Sequence, residues 1–169
     1  MQLLDFSKFD IEDISKIREE VKLQINSFVE KNIMSLGEAE TIKINWIVKF
    51  IQSDIFKEIY IANKSEKLFK EKAIDYNIKL KNLFKDENIE EDEKIMVVGI
   101  IDLFFENENG EIILLDYKTD YVTKENLEEV KARYKIQLDL YKSAIEDISG
   151  KKVTKKGLYL FGINEFVEI

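Results

Sequence analysis

Asp102, Asp116 and Lys118 stand in places where an otherwise apolar sequence would not carry charge. Asp102 interrupts IMVVGIIDLFF (residues 95–105), and Asp116 and Lys118 interrupt EIILLDYK (residues 111–118). An unpaired carboxylate buried in such a strand costs several kcal/mol, so these groups should be paired or hold a metal ion. Asp116 and Lys118 are two residues apart and share one face of a strand. Asp102 joins them for only one length of turn. A two-residue Asn109-Gly110 loop pairs position 108 with 111 and sets Asp102 opposite Tyr117, on the other face. A three-residue loop, 108–110, pairs 107 with 111 and sets Asp102 opposite Asp116. Gly110 suits the left-handed position that three-residue hairpin loops require, so the sequence predicts the longer loop.

Carboxylates facing each other across two strands have Cβ atoms about 4.5–5.5 Å apart and repel. A divalent cation between them turns that repulsion into coordination. The chain has no histidine and no cysteine. His-based general bases, catalytic triads and His- or Cys-ligated zinc are therefore excluded, and an all-oxygen site selects Mg²⁺, with Mn²⁺ able to substitute, or Ca²⁺. Lys118 adds positive charge without occupying a cation position. Such a site suits phosphodiester hydrolysis, with a metal-activated water as nucleophile and the cation and lysine stabilising the developing phosphorane charge. The competing arrangement is a buried Asp102–Lys118 ion pair with Asp116 protonated or exposed.

Several elements must position these residues. Up to about residue 64 the pattern is helical: Ile11, Ile14, Ile17, Val21, Ile25, Phe28 and Val29 form one stripe, and Ser35–Gly37 reads as a break. Ile44, Ile47, Val48 and Ile51, then Ile55, Ile59 and Ala62, continue the helical spacing, with Trp46 expected in the core. FKEKAIDYNIKL (69–80) alternates like a half-exposed strand, and KDENIEEDEK (85–94) reads as a solvated loop. Residues 95–105 and 111–118 read as strands buried on both faces. A long helix is expected over about 124–148, with Leu127, Val130, Tyr134, Leu138, Tyr141, Ile145 and Ile148 as its buried stripe and Ser149-Gly150 as its end. GLYLFGI (157–163) reads as a further strand and FVEI (166–169) as the start of another. Residues 1–169 are expected to form a single α/β domain, with a helical portion (1–64) and a sheet-and-helix core (65–169) that has helices on both faces of a central sheet.

The 169 residues suffice for one such domain, and 45% apolar with 36% charged residues describes an ordinary soluble protein. No apolar run approaches the roughly 18 residues of a membrane span, and the acidic start MQLLDF lacks the basic opening of a signal peptide, so the expected setting is cytoplasmic. A net charge of −8 repels polyphosphate at long range. Residues 124–156 hold nine Lys/Arg against six Asp/Glu, and this local excess makes them the candidate stretch to face phosphate.

GIIDLFFENENGEIILLDYKTD (99–120) resembles the motif of the PD-(D/E)XK nuclease superfamily, in the form used by the RecB-type nuclease domains of AddAB-type helicase/nuclease complexes. YKIQLDLY (134–141) carries Tyr134, Gln137 and Tyr141 like that family's Q-x-x-x-Y motif, and Glu71 in FKEKAI is similar to a glutamate kept on the strand before the aspartate hairpin. The resemblance covers most of the chain. It implies a restriction-endonuclease-like three-layer sandwich with a central mixed sheet, flanking helices and a helical N-terminal part. It also implies that Asp102 and Asp116 ligate Mg²⁺ together with the backbone carbonyl of Tyr117, and that Lys118 positions water or stabilises charge. Gln137 and Tyr141 would contact DNA or support the site, and Glu71 would support it. The function so implied is exonucleolytic cutting of a DNA single strand emerging from an unwound duplex, during double-strand break processing and recombination. The implied partner is the other helicase/nuclease subunit of the AddAB-type complex. One departure stands out. RecB-type nucleases add a histidine ligand from an N-terminal helix, and MQLLDF is similar to the sequence just after it. The chain is thus expected to be a fragment of a longer polypeptide with a weakened metal site and no ATP site of its own. A non-catalytic nuclease-fold module for subunit docking or strand guidance is the alternative; an unrelated α/β interaction domain is the third reading.

Overall fold

The structure is a computed structural model that describes residues 1–79, 90 and 94–169. Four helices come first: α1 (Ile14–Glu30), α2 (Leu36–Thr41), α3 (Ile44–Ile51) and α4 (Asp54–Lys64). Their starts are written in the sequence. Asp13 accepts the backbone N–H groups of Ser15 and Lys16, Ser35 and Glu38 form a reciprocal capping box, and the Ser53 side chain accepts Phe56 N–H. Five strands and one long helix follow: β1 (Leu68–Lys79), β2 (Lys94–Glu106), β3 (Ile112–Lys118), α5 (Leu127–Ser149), β4 (Val153–Leu160) and β5 (Glu165–Glu168).

The strands lie in the order β1-β2-β3-β4-β5. All neighbours are antiparallel except β3 and β4, which run parallel and are joined through α5. The result is a mixed sheet between two helical layers, the three-layer α/β fold expected. On one face Ile17, Val21, Phe50, Phe56 and Ile59 pack against Leu103, Phe105, Ile113, Leu115 and Tyr159. Phe50 is the hub of that core, with ring centroids 4.6 Å from Tyr159 and 5.1 Å from Phe56. On the other face Val130, Leu138, Tyr141 and Ile145 of α5 pack against Ile101, Leu114, Leu158 and Leu160. β3 is covered from both sides, which is why its residues are apolar without alternation.

Four expectations need correction. The outer half of β2 is not buried on both faces: Met96, Val98 and Ile100 are 65%, 68% and 53% exposed, because the helical layer covers only the inner half of the β1–β2 hairpin. β4 starts at Val153, not Gly157, and Gly162 and Ile163 fall in the turn before β5. The lysines that disguised its first half reach sideways, Lys156 to Asp139 (2.7 Å) and Lys155 over the Phe166 ring, so their stems line the sheet while their charges stay paired or wet. Ile14 and Ile148 are exposed, each at the end of its helix, where the stripe has passed the edge of the sheet. Trp46 is only partly buried, stacked at 12° on Phe161 at the core's margin. The charged loop expected at 85–94 lies largely outside the described residues. Among the described residues no helix is long and apolar enough to cross a membrane.

Candidate active site

The hairpin register decides whether the two aspartates meet. β2 and β3 pair Glu106 with Ile112, Phe105 with Ile113, Phe104 with Leu114 and Leu103 with Leu115. Asn107 N–H donates to the Glu111 carbonyl (2.9 Å), which closes a three-residue loop with Gly110 at φ +80°. The paired register ends at Leu103 and Leu115, and continuing it by one residue would set Asp102 against Asp116. Asp102 Oδ2 accepts the backbone N–H of Tyr117 (2.8 Å), tying the aspartate of one strand to the backbone of the other.

The alternation of faces slips at this rung. Leu103 and Phe105 enter the core under the N-terminal helices, but Ile101, two residues before Leu103, enters the core under α5. Opposite, β1 pairs Lys70 with Leu103 and Lys72 with Ile101, and the intervening Glu71 has φ +50°. A left-handed conformation in a residue with a side chain costs roughly 1 kcal/mol. Here it lets both strands turn over together, and Glu71 stays partly buried.

Asp116 is 2% exposed. Burial pushes its carboxyl pKa up, and the neighbouring negative charge of Asp102 adds to the rise, while Lys118 opposes it. Lys118 Nζ lies 2.5 Å from Asp116 Oδ2, but that oxygen makes no hydrogen bond, so the contact is an ion pair without directed geometry. Asp116 Oδ1 receives a long hydrogen bond from Gln137 Nε2 (3.4 Å), and the same amide donates to the Tyr141 hydroxyl (3.1 Å). The Q-x-x-x-Y pair therefore acts within the protein, holding the buried aspartate from α5. Tyr141 in turn leans on β2 at Gly99, where a Cβ would lie 3.1 Å from its hydroxyl.

The candidate residues do not all converge. Asp102, Asp116, Lys118 and Gln137 form one cluster, with Tyr141 behind Gln137. The Tyr117 ring points to the opposite face, 5.4 Å from Phe50, and its hydroxyl is buried without a hydrogen bond. Burial, with Asp102 and Glu71 nearby, holds that phenol well above its ordinary pKa. Tyr117 contributes its backbone to the site, not its side chain. Glu71 is partly buried.

The basic stretch after residue 124 is largely spent on internal pairs. Lys135 and Lys156 contact Asp139, Lys142 and Lys152 contact Glu146, and Lys151 contacts Glu106. These are surface pairs, and the side chains of Lys135, Lys151 and Lys152 stay more than half exposed. The spacing also missed Asp120: its two carboxylate oxygens each lie 3.1 Å from the Tyr134 hydroxyl. Its position two residues beyond Lys118 was the available signal.

The donor set suits a hard divalent cation in part. Asp102 and Asp116 bring two carboxylates near one another at the end of the β2–β3 ladder, and the buried Asp116 Oδ2 is met by the Lys118 ammonium. Among the described residues, no three acidic side chains gather into a ready-made cage.

Residues 10–167 match the PD-(D/E)XK nuclease superfamily. The chain belongs to this superfamily. It is also similar to proteins named as ATP-dependent helicase/nuclease subunits: 41% identical over its whole length to one from Clostridium acetobutylicum, 37% over its whole length to one from Clostridium botulinum (strain Langeland), and 36% over 94% of the chain to one from Clostridioides difficile. The chain spans only 12–13% of the length of these relatives.

Proposed function

We propose that this chain is a magnesium-dependent deoxyribonuclease domain that hydrolyses phosphodiester bonds. The observation that carries this reading is Asp102 tied to the backbone of β3 at Tyr117, close to the buried Asp116, with the Lys118 ammonium against Asp116. Asp102 and Asp116 would hold the cation, with the Tyr117 carbonyl as a further ligand, and Mn²⁺ would substitute. When bound, the cation supplies Lewis-acid stabilisation of phosphoryl charge and a more acidic water. The chain's residues do the rest. Tyr117 N–H orients the Asp102 carboxylate, and Gln137 holds Asp116 through Oδ1, leaving Oδ2 to the Lys118 ammonium or to a cation that displaces it. Burial of Asp116 makes its ionised form costly, and a positive charge beside it, the Lys118 ammonium or a bound cation, offsets that cost. Lys118, always close to Asp116, stands where charge develops on a phosphate seated at the same carboxylates.

The likeness to ATP-dependent helicase/nuclease subunits supports a place for the domain in a two-subunit helicase/nuclease. Its substrate there is a DNA single strand from an unwound duplex, its partner is the complex's other helicase/nuclease subunit, and its task is double-strand break processing for recombination in the cytoplasm. In that setting residues 1–169 are one nuclease domain of a far longer polypeptide, and ATP is handled elsewhere in it. A second reading, a nuclease-fold module that docks or guides without cutting, draws support from the Lys118–Asp116 ion pair, which fills the site from within. Cleavage of labelled single-stranded DNA by the full-length chain, with and without Asp116→Ala and with Mg²⁺ or EDTA, separates them. Magnesium-dependent cutting lost in the variant supports the nuclease, and cutting that survives in the variant removes it.

A further inference from the structure

Lys118 carries four rotatable bonds, and holding its ammonium in one place costs conformational entropy. Its ion pair with Asp116 cannot be the whole restraint, because a cation seated on Asp116 takes over the oxygen that Lys118 contacts. A second contact exists. Lys118 Nζ lies over the face of the Tyr134 ring, 4.3 Å from its centroid. A ring face attracts an ammonium without neutralising it, as a carboxylate would.

The ring is fixed in its turn. Tyr134 OH donates between the two Asp120 oxygens at 3.1 Å each, and Arg133 Nη1 contacts Asp120 Oδ1 at 3.1 Å. The segment that carries Asp120 is anchored through its backbone. Phe161 N–H donates to the Lys118 carbonyl (3.0 Å), and a Cβ at Gly162 would lie 3.0 Å from the Asp120 carbonyl, so glycine there permits the close approach. Asp120 thus satisfies its charge on a phenol and a guanidinium instead of capturing Lys118 two residues away.

We propose that Tyr134, held by Asp120, is a positioning residue that keeps the Lys118 ammonium in the site and un-neutralised when Asp116 is engaged by a cation. This rests on the reading of Lys118 as the group that stabilises phosphoryl charge.

The test is single-turnover cleavage of labelled single-stranded DNA by the full-length chain, with Mn²⁺ affinity measured alongside. Tyr134→Leu should lower the cleavage rate at saturating DNA by about tenfold while leaving the Mn²⁺ Kd unchanged. Tyr134→Phe keeps the ring and should rescue most of the rate, and Asp120→Asn should fall between the two. On a Lys118→Ala background, Tyr134→Leu should cost nothing further. Wild-type cleavage by Tyr134→Leu overturns the proposal, as does an equal loss with and without Lys118, which would mark a merely structural ring. If Lys118→Ala itself cleaves like wild type, the reading of Lys118 fails first, and the proposal with it.

Discussion

Replacing Gln137 with leucine removes the amide that reaches the buried aspartate but keeps the volume under α5. The amide makes two contacts, 3.4 Å to Asp116 Oδ1 and 3.1 Å to the Tyr141 hydroxyl. A hydrogen bond to a charged group contributes about 1.5–3 kcal/mol, and the long first distance places this one at the bottom of that range. Converted at about 1.4 kcal/mol per factor of ten, the loss is roughly tenfold in cation affinity, the lower end of what outer partners of metal ligands usually cost. Tyr141→Phe leaves the Gln137–Asp116 bond in place and loses only a neutral contact, about 1 kcal/mol or a few-fold. The expected order is therefore Gln137→Leu worse than Tyr141→Phe, and both worse than wild type, in Mn²⁺ titration calorimetry and in DNA cleavage at limiting metal. Unchanged affinity in Gln137→Leu, or a larger loss in Tyr141→Phe, would refute the claim that α5 acts on the site through the glutamine.

Further expectations follow from the same geometry. Asp116 has its pKa raised by burial, so its contribution to stability is present below the ordinary carboxylate range and is lost as pH rises through its folded-state value. In EDTA, urea unfolding of Asp116→Asn should therefore gain on wild type between pH 4 and pH 8; a gap that shrinks over that range would contradict the burial argument. Gly99→Val should press on the Tyr141 hydroxyl, reduce cleavage, and destabilise by about 1–3 kcal/mol, whereas Gly99→Ala asks for a shift of a few tenths of an ångström and should be mild; equal effects would show that the contact does not matter. Gly110→Ala places a side chain at φ +80° and should cost about 1 kcal/mol in thermal unfolding, and no loss would mean that the turn has another conformation in solution. Removing Lys151, Lys152, Lys155 and Lys156 together should change the salt slope of DNA binding by about one or less, because three of the four already face carboxylates; a change near four would restore this stretch as a phosphate-binding face.

The hairpin was legible because its chemistry is local. A glycine three residues into the turn fixes loop length, loop length fixes register, and register fixes which acids face each other. The helical N-terminal part and the long α5 were legible from apolar spacing and, for α5, from Ser149-Gly150 at its end, although Ser35–Gly37, read as a break, proves to be the cap and first turn of α2. What stayed hidden depends on contacts distant in sequence. Tyr134 sits on the α5 stripe like any core residue, and nothing in its spacing shows that its ring meets Lys118 or its hydroxyl meets Asp120. The outer half of β2 has the composition of a buried strand, but composition does not say whether a second layer reaches that far. Lysines 155 and 156 masked the start of β4 because polarity by residue type ignores the apolar stems with which they cross the sheet. The turnover at Glu71 and Asp102 left no pattern at all, since a single left-handed residue reverses the alternation on which strand reading depends.

Divalent cation affinity measured by calorimetry on the wild type, Asp102→Asn, Asp116→Asn and the double variant bears most directly on the site. If both acids grip one ion, each single amide should abolish most of the Mg²⁺ or Mn²⁺ binding and the double should do no worse. Additive, independent losses, or wild-type affinity in either single variant, would mean that the two carboxylates do not share a cation.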